Sequence, residues 1–459
     1  MGWSSETSGQ IRVCPASQAS VSHGLCQTAD GKVARADAMT IEESRNGPVL
    51  TRLRKKMLRG EETPEICSRC INEESIGIQS RRQLENTRPW VHAEEMIQAI
   101  DRDGGLDTSK MPLRLFDVRL GNRCNLTCRM CSPGSSHKWY REWAATKSSH
   151  FNSGPTSYSL RDEGANVVVE GSADFTWYER SDIWERLLAT ADEIRELHFS
   201  GGEPLLIEAH HEMVRQLVVR GLAGKIALSY NTNLTALPHG ITDLWAQFRE
   251  VQVSVSLDAP GAANDYIRNG SQFDKIIANL RELDASGPNV IVWISSCVQL
   301  MNSFVVFDLA EWILAADFKK INRWGADPGS LFLSHNQLNR PQAMRLDVLP
   351  LNLRPKWFAR HALFLQRVRE HCALAFRDEE MRARVVERLS ATFAGYAKLL
   401  ESSDRSQLLP EFRAEITRGD VYRGQSFTRT FPELAAGLGF SSSRPALSAR
   451  APEPHSSPL

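Results

Sequence analysis

A chain of 459 residues is long enough for one large domain of about 250 residues with smaller additions, and a core of that size needs no disulfides. Lysine plus arginine and aspartate plus glutamate both number 55, so no overall field draws the chain to nucleic acid, an anionic membrane or acidic substrates. No stretch approaches the length of a membrane span, and the polar start MGWSSETSGQ lacks the order of a secretory signal; the expectation is a cytoplasmic protein with no nucleic-acid or membrane partner.

Residues 1–111 are polar and cysteine-bearing, with one amphipathic helix expected over 49–60, where Leu50, Leu53, Met57 and Leu58 share a face. From 113 onward strand-like runs alternate with helical ones. The strands are expected at 113–118, 194–200, 226–232, 251–257, 290–300 and 319–326, and helices between them at 208–221, 272–287 and 305–317. Such alternation specifies an α/β fold with a parallel sheet, and six units suit an open, partial TIM-type barrel better than a doubly wound sheet, which periodicity alone also permits. The stretch 147–180, rich in Ser, Gly and Asp, reads as an irregular lid or specificity insert. After Pro350 the pattern turns helical (355–402), and the Ser/Pro/Ala-rich tail from 437 has little to bury. The expected divisions are therefore 1–111, 112–350, 351–436 and a disordered 437–459.

Nine cysteines stand at 14, 26, 67, 70, 124, 128, 131, 297 and 372. A reducing compartment keeps thiols available for metals or catalysis. Cys297 and Cys372 sit alone in apolar surroundings and read as small buried hydrophobes. The dense group is GNRCNLTCRMC (121–131), a C-x3-C-x2-C spacing directly after the first strand. A structural zinc site wants four ligands, commonly from two C-x2-C knuckles, so three thiols leave it one short. A cubane iron-sulfur cluster has four irons, and three thiolates hold three of them while one stays open.

Cys124, Cys128 and Cys131 in this loop resemble the cluster-binding cysteines of the radical S-adenosylmethionine (radical SAM) enzymes. Ser200-Gly201-Gly202-Glu203-Pro204, after the second strand, resembles the GGEP segment of that family, where backbone and glutamate receive the methionine ammonium of SAM. SYNTNLT (229–235) resembles the third-strand segment, with Asn233 toward the ribose or carboxylate of the cofactor. SVSLDAPGAANDYIRNG (254–270) resembles the fourth, with Ser256, Asp258 and Arg268 as contacts, since an arginine can fork onto a carboxylate. Met130 takes the place of an often aromatic residue near the adenine. The plain alternatives are that Asn233 caps a turn and that Asp258 starts the next helix.

Cys67-Ser-Arg-Cys70 with Cys14 and Cys26 makes a set of four, suited to zinc or to a second iron-sulfur cluster. Residues 60–86 resemble the N-terminal segment of radical SAM proteins of the twitch type, relatives of the SPASM group, which favours an auxiliary cluster. DVYRGQSFTRTFPEL (420–434) resembles a segment near the C-terminus of these proteins; read physically it is a surface loop leading to a short helix, with Asp420 and Arg423 paired to each other. The resemblance implies a partial (β/α)6 radical SAM barrel, a small N-terminal twitch-like auxiliary-cluster domain and a helical C-terminal extension. It further implies a 4Fe-4S cluster, SAM, a second, auxiliary iron-sulfur cluster, an electron donor such as flavodoxin or ferredoxin, and a peptide or protein substrate. A radical SAM enzyme acting on a small sugar or amino-acid derivative, and a non-catalytic iron-sulfur or zinc-binding interaction protein, are the alternatives. No catalytic hydrogen donor or base is assigned.

Overall fold

The computed structural model describes residues 43, 45–61, 74–75, 93–112, 114–147, 150–153, 156–163, 167–171, 175–321, 333–375 and 377–440. Cys14, Cys26, Cys67 and Cys70, and the tail beyond 440, lie outside the described residues. Among the described residues no helix is long and apolar enough to cross a membrane.

Short runs of Val, Leu, Ile, Phe and Tyr form the strands because branched and aromatic side chains pack well on a pleated surface. In chain order they are β1 (Leu115–Arg119), β2 (His150–Ser153), β3 (Thr156–Asp162), β4 (Val167–Gly171), β5 (Glu196–Ser200), β6 (Ala227–Thr232), β7 (Glu250–Ser256), β8 (Val290–Val298) and β9 (Leu333–Gln337). Six of them make one sheet in the order β1-β5-β6-β7-β8-β9, every pair parallel. Among the described residues the order is linear, with β1 and β9 at its two edges and the sheet open. Helices Glu208–Val219, Ile241–Trp245, Phe273–Ala285 and Val306–Ala315 connect successive strands, as parallel pairing requires.

One face of the sheet is apolar. Phe116, Val118, Leu197, Phe199, Leu228, Tyr230, Val251, Val253, Val255, Val290, Val292 and Ile294 all enter a single core with the connecting helices. At ~1.5–3 kcal/mol per fully buried large side chain, this face supplies most of the sheet's stabilisation. Period-2 alternation then puts polar residues on the other face, and cross-strand hydrogen bonds confirm the grouping: His198 Nδ1 with Ser229 Oγ at 2.9 Å, Asn231 Nδ2 with His198 Nε2 at 3.1 Å, and Asn336 Nδ2 with Ser295 Oγ at 3.0 Å. The long helices Arg354–Ala375 and Glu379–Ser402 extend the apolar core through Trp357, Phe364, Cys372, Leu389 and Phe393.

Two expectations need correction. The stretch 147–180 is not irregular: β2, β3 and β4 form an antiparallel sheet of their own within it. The sixth strand is Leu333–Gln337, not 319–326; Lys319–Ile321 form a turn, and 322–326 lie outside the described residues. As an edge strand, β9 buries fully only Leu333, so its remaining Ser, His, Asn and Gln carry no apolar signature. The helix expected at 49–60 is Pro48–Leu58, and its buried Arg54 ties it down by donating to the carbonyls of Gly104 at 2.7 Å and Arg45 at 2.9 Å.

Candidate active site

The sequence-identified positions gather where the parallel strands end. After β1 the chain reverses at Gly121 (φ 50°), where a Cβ would stand 2.0 Å from the Phe175 carbonyl oxygen, so only glycine fits. The loop that follows is held by backbone bonds to a neighbouring segment: Thr127 N–H donates to the Asn269 carbonyl at 2.9 Å and Arg129 N–H to the Ile267 carbonyl at 2.8 Å. Ser136 Oγ closes it from behind on the Leu126 carbonyl at 2.6 Å. The loop therefore lies against Arg268, with Cys124 and Cys128 buried and Cys131 and Met130 half-buried.

Burial pushes the Cys124 thiol up to about 12. The hydrogen bond between Cys128 and Cys131 sets that pair apart, holding the proton on Cys131 and lowering the Cys128 thiol. The Cys124 N–H donates to His137 Nδ1 at 3.3 Å, and Trp139 Nε1–H donates to the Cys128 carbonyl at 3.1 Å. Among the described residues no three His, Cys, Asp or Glu side chains are grouped around a single ion. A cubane asks for something else, one thiolate on each of three irons, and three clustered thiols on one short loop beside a guanidinium fit that demand.

Gly201 and Gly202, both with positive φ (82° and 52°), bring the turn after β5 against this loop. A Cβ on Gly202 would stand 2.3 Å from the Arg123 carbonyl oxygen, which accepts the Glu203 N–H at 2.8 Å. The close approach that the glycines permit is thus to the cysteine loop itself. Glu203, 1% exposed, turns its carboxylate toward the end of β6 and accepts from Thr232 Oγ1–H at 2.6 Å, Asn233 N–H at 2.7 Å and Leu205 N–H at 3.3 Å. Burial raises its pKa to about 7 against these donors. Asn233 accepts from Thr235 N–H and Oγ1–H at 2.9 and 2.6 Å, and its amide reaches Asn125 Oδ1 at 3.1 Å and Cys124 Sγ at 3.8 Å. It caps its turn and faces the cysteine loop at once.

Ser256 ends β7 opposite Ser295. Asp258, fully buried, is no helix cap; the next helix begins after Pro260. Its Oδ1 accepts the Cys297 N–H at 2.7 Å, and its Oδ2 lies 2.9 Å from Arg268 Nε in an ion pair that lacks the angle of a hydrogen bond. Burial works against the Arg268 charge, but Asp258 and the thiols of Cys128, Cys131 and Cys297 outweigh it and raise its pKa. Cys297 lies on the polar face of β8, half-buried, whereas Cys372 is in the core.

Asp420 and Arg423 do not pair with each other. Asp420 binds Arg129, at 2.6 Å from Nη2, and Arg423 Nε binds both oxygens of Glu142 at 3.0 and 2.8 Å. Arg129, Trp139, Glu142 and Tyr266 carried no sequence signal, since their partners lie far away along the chain.

No curated protein matches the chain. Solved structures that resemble it include native anSMEcpe with bound AdoMet (20% identity, TM-score 0.31, covering 49% of this chain and 53% of that one). Others are native anSMEcpe with bound AdoMet and Cp18Cys peptide (19%, 0.33, 56% and 60%) and Streptococcus suis SuiB bound to precursor peptide SuiA (14%, 0.29, 62% and 54%). The chain spans little more than half the length of these proteins. Residues 118–300 match the family model of the radical SAM superfamily, and this segment, which carries the cysteine loop and the strand-end turns gathered around it, is a radical SAM domain.

Proposed function

We propose that the protein is a radical SAM enzyme that holds a 4Fe-4S cluster on Cys124, Cys128 and Cys131 and abstracts hydrogen from a peptide or protein substrate. The observation that carries this reading is the placement of Cys128 and Cys131 beside Arg268 and of Cys124 beside Glu203, in one loop packed against the Gly201–Glu203 turn and within the segment that matches the family. Held on these three cysteines, a cluster of this kind would supply the one electron that reductive cleavage of SAM requires.

The chain's own residues do the binding and orienting. The turn Gly201–Glu203 would receive the ammonium of SAM, and Asn233 and Ser256 would meet its ribose or carboxylate. Asp258 engages Arg268 at Nε, which leaves the two terminal nitrogens of the guanidinium to fork onto the SAM carboxylate. Met130 supplies a soft apolar contact near the adenine. The divisions at 111, 350 and 436, a second cluster on Cys14, Cys26, Cys67 and Cys70, and a flavodoxin or ferredoxin donor belong to the same proposal. The peptide class rests on the likeness of residues 60–86 to twitch-type proteins.

The test is anaerobic reconstitution with iron and sulfide counting and a SAM-cleavage assay. About eight irons per chain supports two cubanes, about four restricts the reading to the SAM site, and zinc without iron ends it. The triple variant Cys124→Ala, Cys128→Ala, Cys131→Ala loses SAM cleavage, while Cys372→Ala keeps it; cleavage by the triple variant refutes the assignment.

A further inference from the structure

We infer that residues 419–427, at the end of the helix Leu409–Arg423 and the turn after it, clamp the three-cysteine loop and that Asp420 is a positioning residue for it. The loop's role rests on the cluster reading above; the clamp itself is visible without it. Arg129, between Cys128 and Met130, is 3% exposed. Its Nη2 donates to Asp420 Oδ1 at 2.6 Å and to Gln425 Oε1 at 2.7 Å, and its Nε to the Tyr266 carbonyl at 3.2 Å. The guanidinium lies 3.8 Å over the Tyr266 ring.

Asp420 is fully engaged by this arrangement. Tyr266 Oη–H also donates to its Oδ1 at 2.6 Å, and the Phe427 N–H to its Oδ2 at 2.6 Å. A second grip lies one helical turn further on, where Arg423 binds Glu142 and stacks 4.7 Å over the Trp139 ring. That indole is the one that donates to the Cys128 carbonyl. Two buried charge pairs thus converge from the C-terminal helix on one point of the loop, the Arg129 side chain directly and the Cys128 carbonyl through Trp139. Buried charged hydrogen bonds hold geometry because neither partner can turn to water instead. Gly419 completes the fit: a Cβ there would stand 2.8 Å from Arg129 Nη1.

The experiment uses the full chain, iron-free and reduced, as Asp420→Ala and Gly419→Ala beside wild type. Alkylation rates of individual cysteines are read by peptide mass spectrometry. Loss of a buried charged hydrogen bond opens a segment about tenfold more often, so Cys128 and Cys131 label about tenfold faster in Asp420→Ala while Cys372 keeps its wild-type rate. Gly419→Ala discriminates further, because alanine inside a helix ordinarily stabilises it, yet here it must displace Arg129 and speed Cys128 and Cys131 in the same way. After reconstitution, both variants also show an altered electron paramagnetic resonance spectrum of the reduced cluster. Unchanged Cys128 and Cys131 labelling in both variants, or Cys372 accelerating in parallel, overturns the clamp. Labelling is read on iron-free protein, so wild type that takes up no iron ends the cluster reading and leaves this outcome decisive.

Discussion

Replacing Asp258 by alanine removes the carboxylate paired with Arg268 and the acceptor for the Cys297 N–H. Both partners are shut in, with side chains 0% and 11% exposed. Breaking a buried pair from one side leaves an uncompensated charge and costs about 3–5 kcal/mol. For a unit of 150–250 residues each kcal/mol lowers the melting temperature by about 2–4 °C, so the expected loss is roughly 6–20 °C. The assay is thermal unfolding of the iron-free chain followed by circular dichroism under reducing conditions. A double-mutant cycle sharpens it: in Asp258→Ala with Arg268→Met no charge is stranded, so the double variant melts above the value that summing the two single losses gives. A shift of Asp258→Ala within about 2 °C of wild type, or an additive cycle, refutes the claim that this pair is a coupled buried unit.

Two further outcomes follow from the same physical reasoning. Gly202→Ala must place a Cβ 2.3 Å from the Arg123 carbonyl at positive φ, whereas Gly240→Ala meets only the positive φ and open space; the second costs about 1–2 kcal/mol and the first more, and equal melting shifts would show that the close approach is unimportant. His335 packs on the rings of Phe393 and Tyr396. Part of the residue reaches solvent, but both ring nitrogens are shut away without a partner among the described residues, and burial lowers its pKa to about 3. The unfolded chain therefore binds the proton first: this contribution to stability is whole above about pH 6.5 and is lost as pH falls toward 3. His335→Leu flattens the decline in melting temperature between pH 6.5 and 4, and parallel curves for the two proteins would contradict the assignment.

The parallel sheet was legible because its strands are apolar runs separated by helices of 3.6 period, and that pattern is a direct image of burial on one face. β9 escaped because only Leu333 of its residues is fully buried. The Ser, Gly and Asp content of 147–180 hides the sheet β2–β4. TSYSLRD and VVVEG are strand-forming, and the Ser-Gly-Pro and Glu-Gly stretches that precede them are turn-favouring in composition, a hairpin signal carried by local order. The cysteines and the strand-end turns were readable because their chemistry depends on residue type and short spacing. The partners of Arg129 and Glu142 were not: Asp420 lies 291 residues from Arg129 and Arg423 lies 281 from Glu142. Close spacing in an expected surface loop favours pairing Asp420 with Arg423, but both stand at the end of the helix Leu409–Arg423 and tertiary packing gives each a distant partner.

The two faces of the main sheet divide the labour between stability and chemistry. A closed barrel fills its interior with layers of branched side chains, but this sheet ends at β1 and β9 and turns Asp117, His198, Ser229, Ser254 and Ser295 to that side. Each such group forgoes apolar stabilisation and, where buried, must find a partner; Ser200 with Asp117 and His198 with Ser229 do so across strands. The arrangement is sustainable only because the opposite face joins one continuous core with the connecting and C-terminal helices. Parallel pairing then brings all carboxyl ends to one rim. The cysteine loop after β1, the glycine turn after β5, Asn233 after β6, Asp258 after β7 and Cys297 near the end of β8 meet there as a consequence of topology. Substitutions on the apolar face should therefore change melting temperature alone, and those on the rim, Asp258 and Gly202 among them, should change both melting temperature and what the cysteine loop can hold.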